Sequence, residues 1–238
     1  MGPFSTSTKA ALESALSSRF GTAARFRARP APALLSTGIA EADLASGGLP
    51  RGAITEIRGA ASSGRTTLAH AILAEATRRG EVCALIDTSD AFDPVSGAAA
   101  GIDFRQLLWV RCAQNTKHVL AVTGLVLQAG GFGLVVLDLA DIAPRDARRI
   151  PLNCWFRFRR AIESTPTALM VLGQEAYAGA SSSLVLEVHR ERDAWSGVPG
   201  CSRLLRGLEL RIADCGSRIG AGRERANPTP ATFKARAL

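Results

Sequence analysis

From about residue 34 onward, short aliphatic and β-branched runs alternate with longer stretches whose apolar residues recur at helical spacing. The strand-like runs are apolar almost throughout, which is typical of strands covered by helices on both faces. This alternation favours an α/β fold with a mostly parallel twisted sheet flanked by helices. The predicted strands are residues 53–58, 82–87, 107–112, 134–139 and 168–173, and the predicted helices are residues 66–79, 116–129 and 153–163.

The pattern changes after Gln174. Residues 183–190 and 208–213 are strand-like, and the second run alternates apolar with charged residues. Such alternation is typical of a strand with one buried and one exposed face. We therefore predict a C-terminal antiparallel hairpin at the edge of the sheet.

The two ends of the chain differ from the core. Residues 8–20 have the apolar spacing of a short amphipathic helix, and a Gly/Pro/Arg-rich linker follows it. We divide the chain into an N-terminal helix and linker arm (1–33), a core (34–215) and a basic tail (216–238). The tail is rich in Gly, Pro and Arg, so we expect it to be flexible without a partner.

Composition excludes several classes of protein. The 238 residues, of which 47% are hydrophobic, suffice for one sizeable α/β core. Apolar runs stay below the ~18–20 residues of a membrane span, and the N-terminus lacks a signal-like pattern, so we expect a cytoplasmic protein without membrane contact. The concentrated basic charge described next adds the expectation that it is nucleoid-associated. The five cysteines form no C-x-x-C pair, and the three histidines lie far apart. We therefore expect reduced cysteines and no zinc site.

The charge of +8 is concentrated near both ends and in residues 145–160, which contain six arginines and one aspartate. Clusters of this kind favour binding to a polyanion, and nucleic acid is the usual one. A solvated basic surface has the same composition and stays an alternative. The candidate nucleic-acid or partner surface comprises Arg145, Arg148, Arg149, Arg157, Arg159 and Arg160, with Arg218, Arg223, Arg225, Lys234 and Arg236 in the tail.

Aromatic residues accompany the central arginines. Arginine mixed with aromatic rings is typical of surfaces that bind single-stranded nucleic acid, where rings stack on bases. On a helix, however, Trp155, Phe158 and Ile162 share one face. We therefore favour the hydrophobic core for Trp155 and Phe158.

Residues 59–67 contain a candidate phosphate-binding loop, "GAASSGRTT". The spacing G-x-x-x-x-G lies between a predicted strand and a predicted helix, where backbone N–H groups and the helix dipole bind phosphate. Arg65 stands where lysine is expected. It keeps the charge but is longer and planar, so the exchange is not conservative.

A second motif follows in Leu134–Asp138, "LVVLD". Four apolar residues ending in aspartate form a Walker-B-like strand whose carboxylate would hold Mg²⁺. A buried strand that merely ends in a polar residue is the alternative. The loop about 70 residues upstream favours the first interpretation.

Two segments carry a specific resemblance: residues 35–69, "LSTGIAEADLASGGLPRGAITEIRGAASSGRTTLA", and residues 83–94, "CALIDTSDAFDP". They resemble the bacterial RecA recombinase core, in which S-T-G, G-G-L-P-x-G and I-x-E-I-x-G lead into G-x-x-S-S-G-K-T-T. The resemblance covers most of residues 8–190 and implies a RecA-like P-loop fold. It also implies that Asp93 contacts adenine and that Gln174 senses the nucleotide.

Departures from the RecA pattern occur together. Ser89 stands in place of the catalytic glutamate and Ser96 in place of the adenine-stacking tyrosine, and both DNA-binding loops are shortened. Losing a general base costs a factor of ~10²–10⁴ in rate, so we predict no catalytic residues and at most a weak ATPase. The degenerate site for ATP or ADP comprises Gly59, Ser62, Ser63, Gly64, Arg65, Thr66, Thr67, Asp93, Asp138 and Gln174, with Thr66 and Asp138 as metal ligands if Mg-nucleotide binds.

A short RecA-like chain with these losses is similar to the ImuA family of RecA-related, SulA-like proteins of the bacterial damage-inducible mutasome. That resemblance implies an accessory role in SOS-induced translesion synthesis. The implied partners are an ImuB-type Y-family polymerase-like protein and an error-prone C-family polymerase, with RecA, single-stranded DNA and self-association through the N-terminal helix as further possibilities.

Two alternatives remain. The first is a weak DNA-dependent ATPase of the RecA superfamily, in which Arg65 replaces the lysine and Asp90 the base. The second is a SulA-like inhibitor of cell division.

Overall fold

Ten strands and six helices make up the described part of the chain. The computed structural model describes residues 33–196, 204–217 and 231–236. The strands are β1 (Leu34–Leu35), β2 (Leu49–Pro50), β3 (Ile54–Arg58), β4 (Cys83–Asp87), β5 (Leu107–Arg111), β6 (Leu134–Asp138), β7 (Ala168–Gly173), β8 (Ser182–Ser196), β9 (Leu204–Ser217) and β10 (Ala231–Arg236). The helices are α1 (Ala40–Ser46), α2 (Arg65–Arg78), α3 (Pro94–Ala99), α4 (Thr116–Ala129), α5 (Pro144–Ala147) and α6 (Leu152–Ile162).

Eight of these strands form one sheet in the order β10-β9-β8-β3-β7-β6-β4-β5. The six strands from β8 to β5 are mutually parallel. Strand β9 is antiparallel to β8, and β10 is antiparallel to β9. The predicted parallel sheet with a C-terminal antiparallel hairpin is therefore confirmed. The short strands β1 and β2 form a separate antiparallel pair.

Helices cover both faces of the sheet, as the continuous apolar strands predicted. On one face, Leu68 and Ile72 of α2 pack with Ile57 of β3. On the other face, Val119 of α4 and Trp155 of α6 pack in a second cluster with the inward residues of β3, β6 and β7. The central strands are thus buried on both sides, whereas β5 at the edge is only partly buried. None of the described helices is long and apolar enough to cross a membrane.

Part of the predicted flexible tail is a strand. Residues 231–236 form β10, which pairs with β9 from Ala231↔Ile212 to Arg236↔Gly207. Gly216 and Ser217 of the same predicted tail end β9, and flexibility of the tail without a partner stays a prediction. The segment "ATFKAR" alternates small or apolar with polar residues, a period of two that the overall Gly/Pro/Arg composition concealed.

Several predicted features lie outside the described residues. The amphipathic helix over residues 8–20 is one of them, and the tail arginines Arg218, Arg223 and Arg225 are others. For Lys234 and Arg236, in β10, only the backbone is described. These parts of the proposed surface stay predictions.

Candidate nucleotide-binding loop and basic helix

The phosphate-binding loop connects β3 to α2, as its spacing predicted. Gly64, the residue before the helix, has φ 94°, and Ser62 has φ 59°. Gly59 has no room for a side chain, because an added Cβ would lie 2.5 Å from Ser63 Oγ and still closer to the carbonyl oxygen of Val188. The hydroxyl of Ser63 is buried and has no hydrogen-bond partner among the described residues. A buried, unpartnered hydroxyl in such a loop indicates that a polar ligand belongs there.

Arg65 folds back onto its own loop. Its guanidinium donates a hydrogen bond to the carbonyl oxygen of Gly59, and only 6% of the residue is exposed. Burial lowers the pKa of Arg65, and the nearby carboxylates of Asp138 and Asp141 oppose that shift. The positive charge that lysine would present to a phosphate is therefore directed at a backbone carbonyl and two acidic residues.

Asp138 ends β6 beside this arginine. The backbone N–H of Ala140 donates to its Oδ1 over 2.9 Å. Burial raises the pKa of Asp138 to about 6, and the charges of Asp141 and Asp87 add to the shift. With a pKa of about 6 this carboxylate is mostly ionised at neutral pH, which is the form that binds Mg²⁺, although burial makes its charge costly. Thr66, the other candidate metal ligand, is exposed in the first turn of α2.

The segment after β4 does not present a general base. Ser89 occupies the position of the family's glutamate. Asp90 has φ 59°, and both of its carboxylate oxygens are bound by the guanidinium of Arg111. This hydrogen bonding lowers the pKa of Asp90, which weakens it as a base. The alternative in which Asp90 activates water loses support from this ion pair.

Asp93 caps a helix. Its carboxylate accepts hydrogen bonds from the backbone N–H groups of Val95 and Ser96 at the start of α3, and from Ser96 Oγ over 2.6 Å. Those bonds lower the pKa of Asp93. Ser96, at the position of the stacking tyrosine, therefore supports Asp93 instead of offering a ring to adenine.

An aromatic cluster that sequence analysis did not predict lies beside this segment. Phe92 packs edge-on against His70 and Trp109, with ring centroids 5.4 and 5.2 Å apart. The indole N–H of Trp109 donates to Asp87 over 3.2 Å. These residues come from α2, the β4–α3 segment and β5, so no local spacing in the sequence could have revealed the cluster.

A buried carboxylate anchors the chain beneath the loop. Glu56 of β3 accepts hydrogen bonds from the backbone N–H groups of Tyr177 and Ala178, which follow β7. Burial raises the pKa of Glu56. The residue fixes the segment that carries Gln174, whose Nε2 donates to the carbonyl oxygen of Ala140 over 3.2 Å.

A cleft of about 550 Å³ opens at the loop. Four of the residues assigned to the nucleotide from sequence line it, Gly59, Ser62, Ser63 and Gln174, together with β8 residues that sequence analysis missed. An ion pair at 2.7 Å between Arg58 and Glu187 spans β3 and β8 in its lining. The period of two in β8 contained a signal for Glu187 and His189, which lie on one face of that strand, but not for Arg190. The β8 residues that line the cleft are Glu187, His189 and Arg190.

The residues of the loop and the cleft are suited to binding a phosphate group. The loop backbone, the unpartnered Ser63 hydroxyl and the open cleft suit an anion. Arg65 is turned away from the cleft, and the base position holds serine. Gly64 and Thr67 complete the loop and the first turn of α2. The site is compatible with the binding of ATP or ADP.

The basic segment forms α5, α6 and the loop between them. Trp155, Phe158 and Ile162 are buried in the core, as predicted from their shared helix face. Arg148 is paired with Glu175 over 2.8 Å, and Arg159 donates to the carbonyl oxygen of Ala180. The remaining four arginines of the cluster are exposed: Arg145, Arg149, Arg157 and Arg160.

The N-terminal part of the core is similar in sequence to known proteins. A family model described as the RecA N-terminal domain matches residues 23–148. Protein RecA of Deinococcus radiodurans is 44% identical over 115 residues, which are 47% of this chain and 31% of that protein. Protein RecA of Ectopseudomonas oleovorans is 38% identical over 117 residues, and that of Chloroflexus aurantiacus is 41% identical over 103 residues. These matches cover 47% and 43% of this chain, and 33% and 29% of the two relatives. The chain therefore matches about a third of the length of these relatives.

Proposed function

The chain belongs to the RecA N-terminal domain family, and from this premise we propose that it is a catalytically degenerate accessory protein of SOS-induced translesion synthesis. The observation that carries the proposal is Arg65, whose guanidinium is bonded to its own loop while serine stands at the base position. A RecA-like core with this arrangement retains the loop between β3 and α2 but lacks the lysine and the glutamate of the RecA pattern. Its function then depends on the partners it binds.

The proposed partners follow from the resemblance to the ImuA family. They are an ImuB-type Y-family polymerase-like protein and an error-prone C-family polymerase, with RecA and single-stranded DNA as further partners at the nucleoid. The exposed arginines of α5 and α6 support contacts with acidic partners. Self-association through residues 8–20 is a further part of the proposal.

A nucleotide would serve a structural role in this protein. ATP or ADP would lie on the loop backbone and Ser63, with Thr66 and Asp138 as ligands of Mg²⁺. When bound, Mg-nucleotide supplies a polarised phosphate, but Ser89 cannot accept a proton from water. The chain's own residues would therefore bind and orient the nucleotide without turning it over.

The test is genetic complementation in the source bacterium. Deleting the gene is expected to reduce the frequency of rifampicin-resistant mutants after ultraviolet irradiation to nearly that of unirradiated cells. Wild type and Arg65→Ala are both expected to restore mutagenesis, since hydrolysis is not required. An unchanged frequency in the deletion strain would refute the proposal.

Two further assays separate the alternatives. Filamentous cells on overexpression, with normal damage-induced mutagenesis, would favour the SulA-like inhibitor of cell division. Phosphate release by the purified chain that depends on single-stranded DNA and disappears in Asp138→Asn would favour the weak ATPase.

Arg65→Lys is expected to bind Mg-ADP about tenfold more tightly than the wild type, since the shorter ammonium can reach phosphate oxygens as a compact charge. The measurement is titration calorimetry with ADP and Mg²⁺. Arg65→Ala is the control, because it removes the contact with Gly59 without supplying a cation. Equal affinities of Arg65→Lys and wild type would show that Arg65 does not limit nucleotide binding.

A further inference from the structure

Helix α6 exposes two large apolar side chains although its core face is already filled. Trp155, Phe158 and Ile162 are buried against the sheet. Leu152 and Phe156 lie one turn apart on an adjacent face of the helix and are 62% and 52% exposed. A single exposed apolar residue is common on protein surfaces, but an adjacent pair on one helix face forms a patch that water solvates poorly.

Positive charge surrounds this pair. Arg157 and Arg160 are exposed on the same helix, and Arg160 is one turn after Phe156. Arg145 and Arg149, on and just after α5, share the single carboxylate of Asp146 at 3.6 and 3.4 Å. Residues 145–160 carry six arginines and one aspartate. The surface therefore has an excess of positive charge that an acidic partner would complement.

An apolar centre with an arginine rim is the arrangement of protein–protein interfaces, in which arginine is enriched and apolar anchors contribute most of the affinity. We propose that the α6 face, defined as Leu152, Phe156, Arg157 and Arg160 with Arg145 and Arg149, binds an acidic, amphipathic segment of a protein partner. Apolar side chains of that segment pack on Leu152 and Phe156, and its carboxylates pair with the guanidinium groups.

Single-stranded nucleic acid fits this surface less well. Binding of successive bases depends on aromatic rings on which they stack. On the α6 face only Phe156 presents a ring, and the aliphatic Leu152 beside it gains most from apolar partner atoms.

The inference rests on the proposed function, in which the ImuB-type protein is a partner. The ImuB-type protein of the same bacterium is therefore the first probe. Its binding to the immobilised full chain is measured by biolayer interferometry. Leu152→Ser/Phe156→Ser and Arg157→Glu/Arg160→Glu are each expected to weaken binding at least tenfold. The matched controls are Leu125→Ser, at a residue 68% exposed on α4, and Arg105→Glu, at an exposed arginine elsewhere; both are expected to bind as the wild type does.

A fluorescent 20-nucleotide oligo-dT provides the second probe, and circular dichroism verifies that every variant is folded. If the ImuB-type protein binds wild type and both α6 double variants equally, the inference fails while the proposed function stands. If it does not bind wild type, the proposed function fails, and the inference falls with it. If only oligo-dT binding falls in Arg157→Glu/Arg160→Glu, the occupant is nucleic acid and the inference is overturned.

Discussion

Asp138→Asn is expected to stabilise the folded chain at pH 7.5 by roughly 1–3 kcal/mol in metal-free buffer. The reason is the environment of the carboxylate at the end of β6. Burial raises its pKa to about 6, and the charges of Asp141 and Asp87 contribute, whereas Arg65 and the backbone N–H of Ala140 only partly compensate. An asparagine keeps an oxygen for that N–H group and carries no charge to desolvate.

The direction in which Asp138→Asn changes stability at each pH follows from the pKa of Asp138 in the folded and unfolded chains. In the unfolded chain the carboxyl loses its proton near pH 4, and in the folded chain it does so near pH 6. Between these values the folded chain binds more protons, so the free energy of unfolding falls as pH rises. The advantage of Asp138→Asn is therefore near zero at pH 4, grows through pH 5 and is complete above about pH 6.

Urea unfolding at a series of pH values measures this difference. Asp141→Asn is the matched control, because its exposed carboxylate acts on Asp138 only through charge. It is expected to change the free energy of unfolding in the same direction but by less. A destabilised Asp138→Asn chain at pH 7.5 would contradict the assignment of a costly buried charge.

The same variant tests the metal role. A ligand that binds only the folded state raises stability by RT ln(1 + [L]/Kd). If Mg-ADP raises the melting temperature of wild type and not that of Asp138→Asn, the carboxylate holds the metal. If it raises both equally, the loop backbone binds the nucleotide without Asp138.

Local patterns were sufficient to predict the elements that carry the loop. The run over residues 53–58, the glycine spacing and the following helical segment are each encoded within about 25 residues, and the structure has β3, the loop and α2 there. The same holds for the buried face of α6, since Trp155, Phe158 and Ile162 follow helical spacing. Short-range periodicity determines these features, so sequence reveals them.

The side-chain contacts around the loop could not be predicted from sequence, because they depend on conformation and on residues far apart in the chain. The return of Arg65 to the Gly59 carbonyl is a choice of side-chain conformation, which no spacing encodes. The ion pair of Asp90 with Arg111 joins the segment after β4 to the end of β5, between residues 21 positions apart. The cleft lining includes Glu187 of β8, which reaches the loop because β8 pairs with β3. The motif identified the loop, but only the fold shows what surrounds it.

Trp155→Ala is expected to lower the free energy of unfolding by about 3–5 kcal/mol, the cost typical of removing a large aromatic side chain from a core. Trp155 is fully buried and packs edge-on against Phe158, with ring centroids 6.0 Å apart. The cavity would open between α6 and the sheet, in the cluster that also contains Val119 of α4. Since the free energy of unfolding of a domain is only ~5–15 kcal/mol, this loss would be a large share of it.

Phe156→Ala, one residue away, is the matched control and is expected to change stability by less than ~0.5 kcal/mol, because that ring is exposed. Urea unfolding followed by circular dichroism measures both. If Trp155→Ala does not fold, Trp155→Phe extends the test. The indole N–H has no acceptor among the described residues, so its removal breaks no hydrogen bond. The free energy of unfolding of Trp155→Phe should therefore fall by less than half of the fall expected for Trp155→Ala. Equal losses for Trp155→Ala and Phe156→Ala would mean that α6 is not oriented as described. Opposite behaviour of these two neighbours separates the side of α6 that holds the fold together from the side assigned to a partner.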